Sequence, residues 1–349
     1  MGSDITDRKD EHLRLALEAG AENPVGAGGA FDAVTLVHQS LPEIDRDEVD
    51  PSLELLGRRL AFPVLIGSMT GGTHDALVIN RRLAAAAARC GVGMCLGSQR
   101  VMLERPEVAP TFQVRDVAPD ILLIANIGAA QLNYGVDAAR VRALADDVGA
   151  DAVVFHLNAA QEALQGGGDT RFRGLQGRLA ETIPAVGLPC GVKEVGGGFS
   201  LAAARKLAEL PLAFVESAGR GGTSWPWIEG RRAGSDRGLA LGDLFADWGI
   251  PSVTSLLACV RHAGGAPVIA SGGLRHGLDA ARALALGATA TAMAQPLLRA
   301  AVRSEADVVA ELELFREALV NAMFLTGARD LDALRKVPYR VPPEVEPIA

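Results

Sequence analysis

Cysteine is scarce in this chain: the four among 349 residues, Cys90, Cys95, Cys190 and Cys259, show neither C-x-x-C spacing nor the pattern of a disulfide framework. A small secreted scaffold is excluded, and a reduced, cytoplasmic protein with buried thiols is expected. Aromatic residues are also few, at 4%. The apolar half of the composition is carried by Ala, Val and Leu, with abundant Gly, which suits many short parallel strands packed under Ala-rich helices. Positive charge is in deficit, with 34 Lys and Arg against 42 Asp and Glu, a formal net charge of -8 and a pI near 5.4. That balance argues against nucleic acid or an anionic membrane surface as the main partner, and any anion site must be a local patch. No apolar h-region opens the chain, and no apolar run reaches the roughly 18 residues of a membrane span. Neither a signal peptide nor a transmembrane segment is expected.

Length permits two average domains or one large α/β barrel, and the order of elements decides between them. A helix is predicted over 6–19, with Thr6 or Asp7 as its N-cap and Leu13 and Leu17 on one face. Its charged run, Arg8-Lys9-Asp10-Glu11-His12, reads by itself as a solvated helix end. A glycine-rich break at 26–29 follows, then a lead-in whose acids Glu43, Asp45, Asp47, Glu48 and Asp50 are expected on a solvated surface. From there strands read at 64–69, 92–97, 121–127, 152–157, 191–195, 213–217, 267–271 and 289–294, and helices between them, notably at 76–89, 137–147, 201–210 and 278–286. Eight strand–helix repeats without a domain break predict an α/β fold, a (β/α)8 TIM barrel with an N-terminal helical and extended lead-in. The boundaries are an arm and lead-in over 1–60, the barrel over 61–336 and a tail over 337–349. The long intervals 171–189 and 219–267 have room for extra helices, and the second carries a Trp-rich loop read as a lid.

In a barrel the functional loops follow the strands, and unusual residues gather there. The fourth strand opens into His156, Asn158, Gln161 and Glu162, a polar cluster that reads either as chemistry or as a helix cap (Asn158) with a solvated first turn. Strand seven ends in Gly272, Gly273 and Arg275. Two glycines let backbone N–H groups approach an anion and the arginine neutralises it, at the usual phosphate site of barrels; the plainer reading is a tight turn. Lys193, inside the fifth strand, is costly as an unpaired ammonium. It suits a Schiff base, the stabilisation of negative charge on an electron-rich ring, or a salt bridge to Glu216 or Glu194.

The segments RKDEH at 8–12, SMTGG at 68–72, GSQR at 97–100, HLNAAQE at 156–162, KEVG at 193–196, GGTSW at 221–225 and SGGLR at 271–275 together resemble the type II isopentenyl-diphosphate isomerases, flavin-dependent barrels of isoprenoid biosynthesis. The resemblance runs in order from about Arg8 to beyond Gln295. It implies FMN, with Ser68, Met69, Thr70, Ser98, Asn126, Ser217 and Thr223 around the ring and ribityl chain, and Gly272, Gly273, Arg275, Ala294 and Gln295 at the phosphate. It places Lys193 near the N1 and C2 edge of the ring, favouring the anionic reduced flavin. It assigns Arg8, Lys9, Arg100, His156 and Asn158 to the substrate diphosphate, Gln161 to the reacting alkene and Glu162 to Mg2+. Gln161, Lys193 and His156 are then the expected catalytic residues. The implied reaction is a 1,3-proton shift in which reduced flavin serves as acid and base, with NADPH as its reductant. Trp225, and with it Trp248, are candidates for the pocket wall or equally for core. A homo-oligomer, tetramer or octamer, is implied as well. A flavin-dependent 2-hydroxy-acid oxidase would share the barrel, the lysine and the phosphate turn, but it needs a histidine base where this chain has Ser217-Ala218-Gly219-Arg220. A nucleotide-oxidising barrel needs a Cys after strand six, and a barrel that only stores FMN leaves Glu162 beside His156 and Asn158 unexplained.

Overall fold

The protein is described from a computed structural model, which covers residues 5–18, 21 and 29–343. In chain order the elements are α1 (Ile5–Ala16), β1 (Thr35–Leu36), β2 (Leu53–Leu55), β3 (Arg58–Leu60), β4 (Val64–Ile66), α2 (His74–Cys90), β5 (Gly93–Cys95), α3 (Arg100–Glu104), β6 (Leu123–Gly128), α4 (Ala138–Val148), β7 (Ala152–Leu157) and α5 (Ala159–Leu164). They continue with α6 (Leu175–Val186), β8 (Cys190–Glu194), α7 (Leu201–Leu207), β9 (Phe214–Glu216), α8 (Trp225–Arg232), α9 (Asp236–Leu244), α10 (Ser252–His262), β10 (Val268–Ala270), α11 (Gly277–Ala285), β11 (Ala290–Met293), α12 (Gln295–Arg303), α13 (Glu305–Leu325), α14 (Leu331–Leu334) and β12 (Tyr339–Arg340).

Strands β4 to β11 close into a parallel eight-stranded barrel, each beside its sequence neighbour, with β11 pairing β4. The predicted barrel is therefore the observed one. Strand β7 has the predicted bounds and β8 the predicted length shifted by one residue, while the other six are shorter than predicted at one or both ends. Helix α1 begins at Ile5, so Thr6 and Asp7 lie inside it rather than at its cap. Apart from Gly29, the break at 26–29 lies outside the described residues, as do 344–349 of the tail. The acids from Glu43 to Asp50 are exposed, as expected.

Side chains alternate across each strand, and the inward set changes character along it. At the lower, N-terminal end it is apolar: Leu65, Cys95, Leu122, Ile124, Ala152, Val154, Phe214, Ile269 and Ala290 form one buried cluster. Phe214 fills much of that floor; a Cβ on Gly191 would lie 2.5 Å from its ring, so the neighbouring strand carries glycine there. The hairpin β2–β3 adds Leu55 and Leu60 from below. It is fastened by Asp151, which accepts from Arg58 Nη2 (2.7 Å), Arg115 Nη2 (2.8 Å) and the Leu123 amide (2.9 Å). One or two residues further along the same strands the inward positions become Asn126, His156, Lys193, Glu216 and Ser271. The outward set packs under the helices in a second, larger core.

The interval between β9 and β10 holds three helices, so the Trp-rich segment is a helix and not a loop. Ser224 caps it, accepting from the Trp227 amide, and Pro226 sits in its first turn, where a missing N–H costs nothing. The described part of the tail pairs with the lead-in, Thr35 opposite Arg340 and Leu36 opposite Tyr339.

Candidate active site

A cleft opens at the C-terminal mouth of the barrel, with about 1810 Å3 of space including its solvent-facing entrance. Loops from all around the barrel line it, together with α1, which lies across the mouth against α8. The arm is held by a small apolar cluster of Leu15, Ala21 and Ile228 with Trp225 and Trp227. Three hydrogen bonds add to it: Gln295 Nε2 to the Ala16 carbonyl (3.0 Å), the Ser224 amide to the Ala21 carbonyl (2.7 Å) and Lys9 Nζ to the Ser98 carbonyl (3.1 Å). The run Arg8 to His12 thus has a purpose the solvated-helix reading lacks. One face of it enters the cleft, while Asp10 stays exposed.

Of the residues singled out from the sequence, Arg8, Lys9, Ser68, Met69, Thr70, Ser98, Arg100, Asn126, His156, Asn158, Gln161, Glu162, Lys193, Thr223, Trp225, Gly272, Gly273, Arg275, Ala294 and Gln295 all line this cleft. Ser217 does not. Its side chain is fully buried, its hydroxyl has no partner, and its carbonyl accepts from Ser255 Oγ at 2.9 Å. Trp248 stands away from the cleft at 62% exposure, so it is neither wall nor core.

The strand register explains the central layer. Gly128, His156, Lys193 and Glu216 stand side by side on four consecutive strands. Lys193 Nζ donates to Glu216 Oε1 at 3.0 Å, and Ser271 Oγ donates to the same oxygen at 2.9 Å. Burial works against the ammonium, but Glu216 outweighs it and raises the Lys193 pKa, so the side chain stays charged. Glu194, the other candidate partner, is turned away: its Oε2 accepts from the amides of Val195 (2.7 Å), Gly196 (2.6 Å), Gly197 (2.5 Å) and Gly198 (2.8 Å). His156 is pushed down to about 3, first by burial and then by Lys193, Lys9 and Arg100. Asn126 Nδ2 is committed to the Leu96 carbonyl (3.0 Å), so its oxygen accepts from His156 Nδ1 (2.8 Å). The imidazole is then neutral with a lone pair on Nε2, and it can donate to an anion only after taking up a proton.

Beyond this layer the fourth-strand turn is locked by its own side chains. Asn158 occupies the cap position of α5 but makes no cap bond; its Nδ2 reaches Glu162 Oε1 (2.8 Å) and Gln161 Oε1 (3.1 Å) instead. Glu162 is buried rather than solvated, and its Oε2 takes the Asp169 amide at 2.6 Å. Gln161 Nε2 donates to Glu229 Oε1 at 2.9 Å. Glu229, on α8, also accepts from His12 Nε2 (2.9 Å) and Arg232 Nε (2.8 Å). Burial opposes its charge, but His12, Gln161 and Arg232 prevail and hold it down to about 2. Sequence reasoning missed Glu229, Arg232 and Asp169, and left His12 without a role. Trp225 and Glu229 share a helix face at i, i+4, a signal hidden while the segment was taken for a loop.

Two basic ends flank the cleft. One is the turn after β10, where Gly272 and Gly273 have φ of 90° and 80°. A Cβ on either would meet the backbone of the preceding loop, at 2.6 Å from the Gly219 carbonyl and 2.1 Å from the Gly221 carbonyl. These glycines are needed for loop packing as well as for any anion. The other end gathers Arg8, Lys9 and Arg100, with Arg232 behind them. Arg100 pairs with Asp169, which also accepts from Gln131 Nε2 at 2.7 Å. Lys9 is pushed down to about 8 by burial and then by Arg8 and Arg100, and Arg8 is lowered for the same kinds of reason, with its Nε buried and unpartnered. Cations crowded until they depress one another are a site arranged to receive an anion.

Comparison with known proteins agrees. The model of the FMN-dependent dehydrogenase family matches residues 246–339. An isopentenyl-diphosphate delta-isomerase of Synechococcus sp. is 48% identical over 341 residues, covering 96% of each chain. That of Deinococcus radiodurans is 45% identical over 96% of this chain and 98% of its own, and that of Thermococcus onnurineus 42% over 95% and 90%. Among solved structures, mandelate oxidase with benzoyl-formic acid superposes with a TM-score of 0.61 at 20% identity, over 96% of this chain and 98% of its own. A mandelate oxidase mutant with a monooxide FMN adduct does so with a TM-score of 0.61 at 18% identity, over 98% and 94%. The oxidases share the fold; the isomerases share the sequence along nearly its whole length, and the protein belongs to the isopentenyl-diphosphate delta-isomerase family as an isomerase of its FMN-dependent, type II branch.

Proposed function

We propose that the protein interconverts isopentenyl diphosphate and dimethylallyl diphosphate by a 1,3-proton shift, working with reduced FMN, with Mg2+ on the diphosphate and with NADPH as the flavin's reductant. The observation that carries this reading is the pair of basic ends on one cleft, with Lys193 between them. One anion site suits the phosphate of a flavin and the other a substrate diphosphate.

The residues fit FMN. Gly272, Gly273 and Arg275, with Ala294 and Gln295, would hold its phosphate; Ser68, Met69, Thr70, Ser98, Asn126 and Thr223 would face the ring and ribityl chain, and Lys193 its electron-rich edge. Ser217 would act only through its backbone, since its side chain is turned out of the cleft. When bound and reduced, the flavin supplies a proton donor and acceptor without net redox. Everything else falls to the chain. Arg8, Lys9 and Arg100 bind the diphosphate, joined by Asn158 and by His156 once it has taken up a proton. Among the described residues no three His, Cys, Asp or Glu converge as a metal cage. Glu162 would hold Mg2+ beside the diphosphate, where the ion would neutralise the group's charge. Gln161, fixed between Asn158 and Glu229, orients the alkene, and Glu229 and His12 hold that amide in place. Trp225 walls the pocket against water that would trap a tertiary cation. The same chain assembles as a homo-oligomer, a tetramer or octamer, whose size sedimentation would measure.

Turnover of isopentenyl diphosphate in D2O by the reduced, FMN-loaded protein is expected to place deuterium in the product. Unlabelled product under turnover would overturn the proton-shift reading, and oxidation of lactate or glycolate instead would point to an oxidase.

A further inference from the structure

Lys193 is charged, buried and inside the cleft, and its partner is buried there with it. Lys193 and Glu216 are opposite one another in the β8–β9 register, with side chains only 9% and 5% exposed. A buried pair of this kind seldom repays its desolvation, so its retention inside a barrel asks for a use beyond stability. Ser271, from the next strand, donates to the same Oε1 that Lys193 touches, fixing the carboxylate from the other side. All three line the cleft. A ring seated there meets an ammonium backed by a carboxylate at hydrogen-bond distance, which is close to a dipole and much weaker than a free positive charge.

That arrangement bears on the proposed chemistry. A full positive charge at the ring would hold reduced flavin as an anion so firmly that it would take up a proton poorly, whereas no positive charge would leave the anion unsupported. From this geometry, and resting on the flavin reading above, we infer that Glu216 is a positioning residue that keeps the Lys193 ammonium in place and offsets its charge, setting how strongly the site favours anionic reduced flavin. Ser271 orients Glu216 for that task.

The test is the flavin midpoint potential of the holoprotein, together with the affinity of its oxidised form for sulfite, whose adduct is anionic. Glu216→Gln is expected to raise the reduction constant tenfold or more, about 30 mV for a two-electron couple, and to tighten sulfite binding by a similar factor. Lys193→Met is expected to move both the other way. In the Lys193→Met background, Glu216→Gln is expected to change them less than about twofold, because its effect passes through the lysine. A merely structural Glu216 would give equal effects in both backgrounds and would overturn the inference, as would an unchanged potential in Glu216→Gln. If Glu216→Gln does not fold, Ser271→Ala serves, with a smaller shift of the same sign expected and no shift overturning it. Wild-type protein that takes up no FMN overturns the flavin reading and this inference with it; wild-type protein that does, beside a variant of unchanged potential, overturns only the role of Glu216.

Discussion

At the lower end of the barrel Asp151 meets Arg58, Arg115 and a backbone amide, and the inward side chains are Leu, Ile, Val, Ala and Phe closed off by a hairpin. At the upper end of the same strands Arg8, Lys9, Arg100 and Arg232 press on one another, Arg8 Nε has no partner, and Ala218 holds a left-handed φ of 42°. Arg58 and Arg115 divide Asp151 between them and leave nothing for a ligand to do. The upper cations are faced by Asp169, Glu104, Glu229 and Glu162, yet Arg8 and Lys9 are still lowered by burial and by one another, and such crowding costs stability unless an anion arrives. The two ends divide the labour of a barrel: permanence below, reception above.

Substitutions at the mouth should therefore cost turnover more than folding. Gln161→Ala and Glu162→Ala are each expected to lower kcat by about 100-fold or more, with little change in melting temperature for Gln161→Ala and a loss of about 1–3 kcal/mol for Glu162→Ala, which strips Asn158 and the Asp169 amide of their acceptor, as steady-state kinetics and calorimetry would show. Full activity with an unchanged Mg2+ requirement in Glu162→Ala would break the comparison at its strongest point. Below, Leu60→Ala is expected to cost about 2–5 kcal/mol of stability while KM stays as it was; urea unfolding measures the first and initial rates the second. Lys9 sharpens the contrast through pH. Its charge is present below about 8 and lost above it, so affinity for a diphosphate falls and KM rises as pH climbs through that value. A rise of about tenfold is expected, the scale of one charged hydrogen bond, and Lys9→Arg should flatten the profile. The smallest effect belongs to Trp248→Ala, on neither end of the barrel axis: less than about a twofold change in kcat/KM, as for other exposed positions.

Much of this contrast was legible beforehand. The eight strand segments stood out because a parallel strand buried on both faces is a short apolar run between helical patterns, and the loop residues after them fell together because a barrel permits no other arrangement. The hairpin Leu53–Leu60 escaped notice: it falls inside the lead-in, which was read through its acids alone, and only its position under the floor makes Leu55 and Leu60 core. Glu229 and Asp169 escaped for a different reason. Each owes its importance to partners far along the chain, Glu229 to His12 and Gln161, Asp169 to Arg100 and Gln131. No local pattern reports on such pairs. Glu216 was in view only as one possible partner for Lys193, because register, not sequence, sets them face to face.

The closure of β11 onto β4, and of β12 onto β1, also dictates the order in which a growing chain can finish itself. Strands β6, β7 and β8 can pair as soon as they leave the ribosome, which brings His156 and Lys193 together early. The Gly67 amide, by contrast, waits for the Met293 carbonyl, and Thr35 waits for Arg340. Through most of synthesis Val64, Leu65 and Ile66 present an unpaired apolar edge, the kind of surface that chaperones attend to. The half of the mouth that carries His156 and Lys193 can thus form during translation, and the half that carries Gly272, Gly273 and Ala294 only near its end.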